Sequence, residues 1–180
     1  MNSPIQSPSS KILVLGTAHE LQGKHFQMPI DDKCYRHMVE DLIQSHHIDT
    51  IFEEASGHSP SDAQEIADSQ SPKLPYFDVD PPIDERPQYG LATVTGSSKP
   101  IDLMMQPPCV ENFQYVKAHA DRERFWLTRV AERKFKSAMF ICGASHTLSI
   151  AFRLVDAGYE VEQCLTYQPY AKLCRHVPAP

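Results

Sequence analysis

The chain has 180 residues, with 17 Lys+Arg against 23 Asp+Glu, a formal net charge of -6, 41% hydrophobic and 22% charged residues. A chain of this mass buries roughly 70% of the surface that it exposes unfolded, which suits one ordinary domain. The acidic balance argues against nucleic acid as a bulk partner, because phosphate-tracking proteins carry a basic excess. The longest apolar runs, Lys11 to Leu15 and Met139 to Cys142, fall far short of the ~20 residues that cross a bilayer, so no membrane span is expected.

Residues 1–10 are rich in Ser, Pro and Gln, without the basic and apolar regions of a signal peptide, and are read as a leader on a cytoplasmic protein. The 5 cysteines form no C-x-x-C pair, so reduced thiols are expected rather than a disulfide framework or a zinc ribbon. A single domain is expected over 11–167, followed by a tail over 168–180.

Lys11 to Leu15 is a short continuous apolar run stopped by Gly16, the pattern of a strand buried on both faces. From Asp31 or Asp32, both good N-caps, Tyr35, Met38, Val39, Leu42 and Ile43 recur at helical spacing. A second strand, Asp49 to Phe52, runs into Glu53 and Glu54, and Ser61 to Gln70 suits a short surface helix. Tyr76 to Asp80 is a third strand, closed by Pro81 and Pro82, which can neither donate to a ladder nor continue it. The proline-punctuated stretch 81–108 reads as a covering loop, since segments of that length without regular structure inside a compact domain are commonly lids. Val110 to Phe135 shows a helical pattern interrupted or kinked near Ala118 to Asp121, which one long helix or two short ones would both fit. Ala138 to Cys142 is the fourth strand. The helix after it shows Leu148, Ala151, Phe152 and Val155 on one face, with Ser145 as its cap and Gly158 where a left-handed C-terminal residue belongs. Tyr159 to Leu165 supplies the fifth strand. This order predicts an α/β fold, a mostly parallel sheet of about five strands flanked by helices.

In such sheets ligands sit at the carboxyl ends of the strands. There the sequence places Gly16-Thr17-Ala18-His19, then Glu53-Glu54, then Asp78-Val79-Asp80, then Gly143-Ala144-Ser145-His146. A lone loop histidine is ordinarily a capping or hydrogen-bonding residue, but the Gly-x-x-His spacing recurs. Glu53 and Glu54 point to opposite faces if the strand continues through them. Glu53 is taken to face the site and Glu54 a surface cation or the substrate. Asp78 and Asp80, two residues apart, suit a metal or a like-charge dyad, or else Asp80 turns the chain before the prolines. Arg86 and Arg122 either clamp an anionic group or form salt bridges. Two imidazoles with carboxylates can hold Zn²⁺, Mn²⁺ or Fe²⁺ and acidify a water. They can also act directly as base and acid.

This set resembles the superfamily that joins TraB/PrgY pheromone-shutdown proteins, Tiki-type metalloproteases, erythromycin esterases and haem-binding ChaN proteins. The resemblance rests on Gly16 to His19, Glu53 and Gly143 to His146, and covers about Lys11 to Glu54 and Ala138 to Val161. It implies that His19, Glu53 and His146 are the central residues, His19 and His146 as metal ligands or acid/base partners and Glu53 as ligand or water activator. Asp78 and Asp80 as further metal ligands, and Glu54, Arg86 and Arg122 as groups touching substrate, are expected from their placement alone, since Asp78 to Arg86 matches no motif of those families. The superfamily includes hydrolases and a ligand binder, so the activity is read from the convergent His/Glu/Asp set, which leads to the expectation of a metal-dependent hydrolase of an ester, amide or phosphoester. The alternatives are a binding protein for haem, a metal or a nucleotide, and a partner subunit presenting apolar loop residues such as Leu103, Met104 and Met105.

Overall fold

The computed structural model describes residues 10–17, 32–57, 60–92 and 110–167. His19, Leu103 to Met105, the greater part of the leader and the tail lie outside them. The described chain runs β1 (Lys11–Thr17), α1 (Asp32–Ser45), β2 (Thr50–Glu53), α2 (Asp62–Ser69), β3 (Tyr76–Asp78), a 3-10 turn (Arg86–Tyr89), α3 (Val110–Ala131), β4 (Ser137–Gly143), α4 (Thr147–Asp156) and β5 (Glu160–Thr166). The strands form one 5-stranded sheet in the order β3-β2-β4-β1-β5, and every pairing is parallel. This is the expected α/β class.

Alternation along each strand sorts the core into two layers. Leu13, Leu15, Ile51, Met139 and Ile141 pack against Tyr35, Val39 and Ile43 of α1 and Ala63, Ile66 and Ala67 of α2. Ile12, Val14, Phe52, Phe140 and Cys142 face the other way, onto Trp126 and Val130 of α3 and Ile150 and Leu154 of α4. Because both faces are covered, β1 and β4 read as unbroken apolar runs. Full burial of each large aliphatic or aromatic side chain stabilises the fold by about 1.5–3 kcal/mol. β1 and β2 flank β4 and lead to helices on the α1/α2 face, whereas β4 leads to α4 on the opposite face. The carboxyl end of β4 is therefore a point where chain directions diverge, the place where α/β sheets form crevices.

Three expectations are resolved or corrected. First, of the two arrangements open for this segment, α3 is the one continuous helix, 22 residues long, running through Ala118 to Asp121. Nothing in that stretch breaks a helix; its inward stripe turns polar there. Second, α4 buries Thr147, Ile150 and Leu154, while Leu148, Phe152 and Val155 stay 68%, 72% and 54% exposed. The helix is apolar on two sides, so periodicity alone could not pick the buried one. Third, His146 rather than Ser145 holds the N-cap position of α4, and it makes no side-chain cap hydrogen bond. Gly158 does take φ +93, and Tyr159 N–H returns to Leu154 O at 3.0 Å. At the other end of α4, a Cβ on Gly16 would lie 1.9 Å from Thr147 Oγ1, so only glycine lets β1 approach so closely.

Candidate active site

Glu54 follows β2 and is 3% exposed. Its Oε1 accepts from Arg122 Nη2 at 2.6 Å and its Oε2 from the Gly143 backbone N–H at 2.8 Å, which pins the ends of β2, β4 and α3 together. The expected surface partner of Glu54 is thus an interior arginine. Asp80, 1% exposed, receives still more. Its Oδ1 accepts from Trp126 Nε1 at 2.8 Å and Arg122 Nε at 3.1 Å, and its Oδ2 from Arg122 Nη2 at 2.8 Å, Arg86 Nη2 at 2.7 Å and Ser56 Oγ at 2.5 Å. Burial alone would push the Asp80 carboxyl up; Arg122, Ser56 and Arg86 outweigh it and hold the group below the usual range. Arg122 feels the reverse balance. Burial disfavours its charge, but Glu54 and Asp80 keep it raised and cationic. Its guanidinium also lies 5.1 Å from the Trp126 ring centroid.

His146, at the mouth of α4, is 1% exposed. Its Nδ1 lies 2.8 Å from Glu123 Oε1, and since a carboxylate only accepts, Nδ1 carries the hydrogen. Glu123 is itself fixed by Ser149 Oγ at 2.5 Å and Arg153 Nε at 2.7 Å. Burial pushes Glu123 up, but the bonds from His146, Ser149 and Arg153 prevail and hold its carboxyl below the usual range. Nε2 of His146 is left turned toward Glu54 Oε1, 3.9 Å away. The His119 ring stacks on that of His146, with centroids 4.4 Å apart at 16°, and Trp126 meets it edge-on at 4.9 Å. Burial, then His146 and Arg122, depress the His119 pKa to about 4, so this ring is neutral.

Glu53 stands on the other side of the sheet. It is fully buried, and its Oε2 accepts from Tyr76 Oη at 2.6 Å and from Ser61 Oγ. Among the described residues its Oε1 has no hydrogen-bond partner, nor has the Tyr35 hydroxyl on the same face. Burial, partly offset by Ser61 and Tyr76 and reinforced by Asp78 and Asp62, raises its pKa to about 7.

The sequence-predicted residues therefore divide. Glu54, Asp80, Arg86, Arg122 and His146 come together on the α3/α4 side, and Glu53 does not join them. Asp78 is spent on the backbone: Oδ1 accepts from Ala55 N at 3.1 Å and Asp80 N at 3.0 Å, and Oδ2 from Gly57 N at 2.8 Å. Among the described residues no group of three His, Cys, Asp or Glu side chains could hold a metal ion. His19 lies outside those residues. Sequence reasoning passed over Glu123, His119 and Trp126. A signal for them existed, since His119, Arg122, Glu123, Trp126 and Val130 recur at helical spacing as one stripe that changes from polar to apolar.

Comparison of the chain with protein-family models, with curated proteins and with solved structures returned no match.

Proposed function

We propose that the protein is a small hydrolase of ester, amide or phosphoester bonds in which His146 is the base. The observation that carries this reading is the orientation of His146: Nδ1 is held by Glu123 at 2.8 Å, while Nε2 is directed to the strand edge beside Glu54 and Arg122. Such a histidine presents a fixed lone pair, and the carboxylate behind it stabilises the imidazolium formed on proton uptake. Water would lose a proton to Nε2, and its oxygen would attack the carbonyl carbon or phosphorus. The same Nε2–H would then protonate the leaving oxygen or nitrogen. Arg122 has committed Nε and Nη2 to Asp80 and Glu54. Its Nη1 is the group to meet the oxygen on which negative charge develops. The recurrence of Gly-x-x-His at His19 and His146, and the resemblance it carries, support the same class of chemistry.

A divalent Zn, Mn or Fe ion, when bound, would supply an acidified water. The described donors do not suit one. Asp80 already accepts from two guanidinium groups, Glu54 and Asp78 are taken up by N–H donors, and Glu53 faces the opposite layer. The reaction is accordingly derived from the side chains alone.

The test is hydrolysis of p-nitrophenyl acetate, a p-nitroanilide and p-nitrophenyl phosphate by purified protein, with and without EDTA, beside His146→Asn. Turnover of one substrate that survives EDTA and disappears in His146→Asn is expected. Turnover abolished by EDTA and restored by a metal would move the chemistry to a cation held partly by residues such as His19. No turnover of any of the three, with haem, a metal or a nucleotide co-purifying, would replace the hydrolase with a binding protein.

A further inference from the structure

We propose that His119 is a positioning residue for His146: its ring, laid flat on that of His146, sets the plane in which the base presents Nε2. The proposal deepens the reading of His146 as the base of a hydrolase, and rests on it. The bond between Nδ1 and Glu123 at 2.8 Å fixes which nitrogen carries the hydrogen, but it does not fix the ring plane. The second torsion of a histidine is broad and roughly two-fold, and a hydrogen bond weakens steeply only when its angle falls below about 120°. An imidazole tethered by that bond alone could swing its far nitrogen off the reacting atom.

Helix α3 supplies the missing restraint. His119, Glu123 and Trp126 stand at i, i+4 and i+7 along it, so they leave one face of the helix. They meet three parts of a single ring. Glu123 takes the Nδ1 edge, His119 covers a face with centroids 4.4 Å apart at 16°, and Trp126 makes an edge-on contact at 4.9 Å and 70°. Trp126 is itself fully buried and anchored, its Nε1 donating to Asp80 Oδ1 at 2.8 Å. A tilt of His146 would drive one end of its ring into His119, and a close-packed interior leaves little room for that. Glu123 thus chooses the tautomer, while His119 and Trp126 choose where the other nitrogen points.

A ring in this place has a second requirement, because His146 becomes a cation when it takes a proton. Like charges in contact disfavour each other. Burial, then His146 and Arg122, hold the His119 pKa at about 4, so the ring that lies 4.4 Å from His146 is uncharged near pH 7. A flat, uncharged side chain meets both requirements. Phenylalanine is therefore expected to replace His119, and alanine or leucine is not.

The test is carbon-13 relaxation of the His146 ring in the full-length wild type, His119→Phe, His119→Ala and His119→Leu, with steady-state kinetics on whichever nitrophenyl substrate is turned over. Circular dichroism checks that each variant folds, and His119→Leu, which fills more of the space, serves if His119→Ala does not. The expected result is a rigid His146 ring in the wild type and His119→Phe and a mobile one in the other two. In those two kcat should fall about 10- to 10²-fold with KM little altered, the size of loss that a small misplacement brings, and His119→Phe should retain most of the rate. A His146 ring equally rigid in all four proteins would overturn the proposal whatever the turnover. So would a His119→Phe as slow as His119→Ala, since the role would then belong to the nitrogens of His119. Ring mobility that follows the variants in a protein without turnover would keep the positioning and remove the hydrolase.

Discussion

Glu53 and Glu54 are neighbours in the chain but serve opposite layers of the molecule. Glu53 accepts from Tyr76 at 2.6 Å on the α1/α2 side, and Glu54 accepts from Arg122 at 2.6 Å on the α3/α4 side. One carboxylate is matched by a permanent cation; the other is surrounded by hydroxyls and further acids. The two should respond to substitution in unlike ways.

Glu53 should make stability fall as pH rises. Its folded pKa of about 7 exceeds the ordinary 4.5, so between these values the folded state binds the proton and the unfolded state releases it. Unfolding free energy therefore declines from about pH 4.5 to pH 7, by an amount on the order of 3 kcal/mol, and levels above. Urea unfolding from pH 4.5 to 8 should show this slope in the wild type. Glu53→Gln should lack it and be the more stable protein at pH 8; a parallel slope in the variant would assign the effect elsewhere.

Asp80→Ala should be severely destabilising. It leaves the side chains of Arg86 and Arg122, 4% and 12% exposed, without their shared acceptor, and Trp126 without its bond. Loss of one member of a buried ion pair costs about 3–5 kcal/mol. Chemical denaturation at pH 7 measures it, and a change under 1 kcal/mol would mean that water replaces the carboxylate.

Glu123→Gln should separate catalysis from binding. An amide in place of the carboxylate can donate as well as accept, so it no longer fixes Nδ1 of His146 as the donor, and it carries no charge to stabilise the imidazolium. The proposed hydrolysis should then fall about 10²- to 10⁴-fold in kcat with KM little altered. Steady-state kinetics on whichever nitrophenyl substrate is turned over gives the answer. An equal rate would remove the dyad from the mechanism.

Gly16→Ala should cost about 1–3 kcal/mol by overpacking, because its new methyl meets Thr147 Oγ1 at 1.9 Å. Adding Thr147→Ala should recover part of that loss. A double-mutant cycle with no coupling would contradict the close approach of β1 to α4.

The centre of the sheet could be read from the sequence because β1 and β4 are buried on both faces and their apolar runs stop at Gly16 and Gly143. The inward face of α4 could not, since two of its sides are apolar and only contact with β5 and α3 chooses between them. At the site, His146 announced itself through a repeated motif, and Asp80 and Arg122 through residue type. Which of Glu53 and Glu54 accompanies His146 depends on which face of the sheet α3 covers, a long-range fact that alternation within β2 does not contain. Glu123 was obscured because a polar stripe inside a helical pattern looks like an interruption.

Asp80 draws together Ser56, Arg86, Arg122 and Trp126, the last lying 46 positions further along the chain. Contacts between segments so far apart form only after large loops have closed, so they belong to the slow, late part of folding. A chain that has built its helices but not yet seated Trp126 and Arg122 on Asp80 would therefore lack an ordered histidine–arginine edge. Seating of Trp126 and Arg122 on Asp80 should then lag behind recovery of helix content during refolding, and the proposed hydrolysis would return only with that later step.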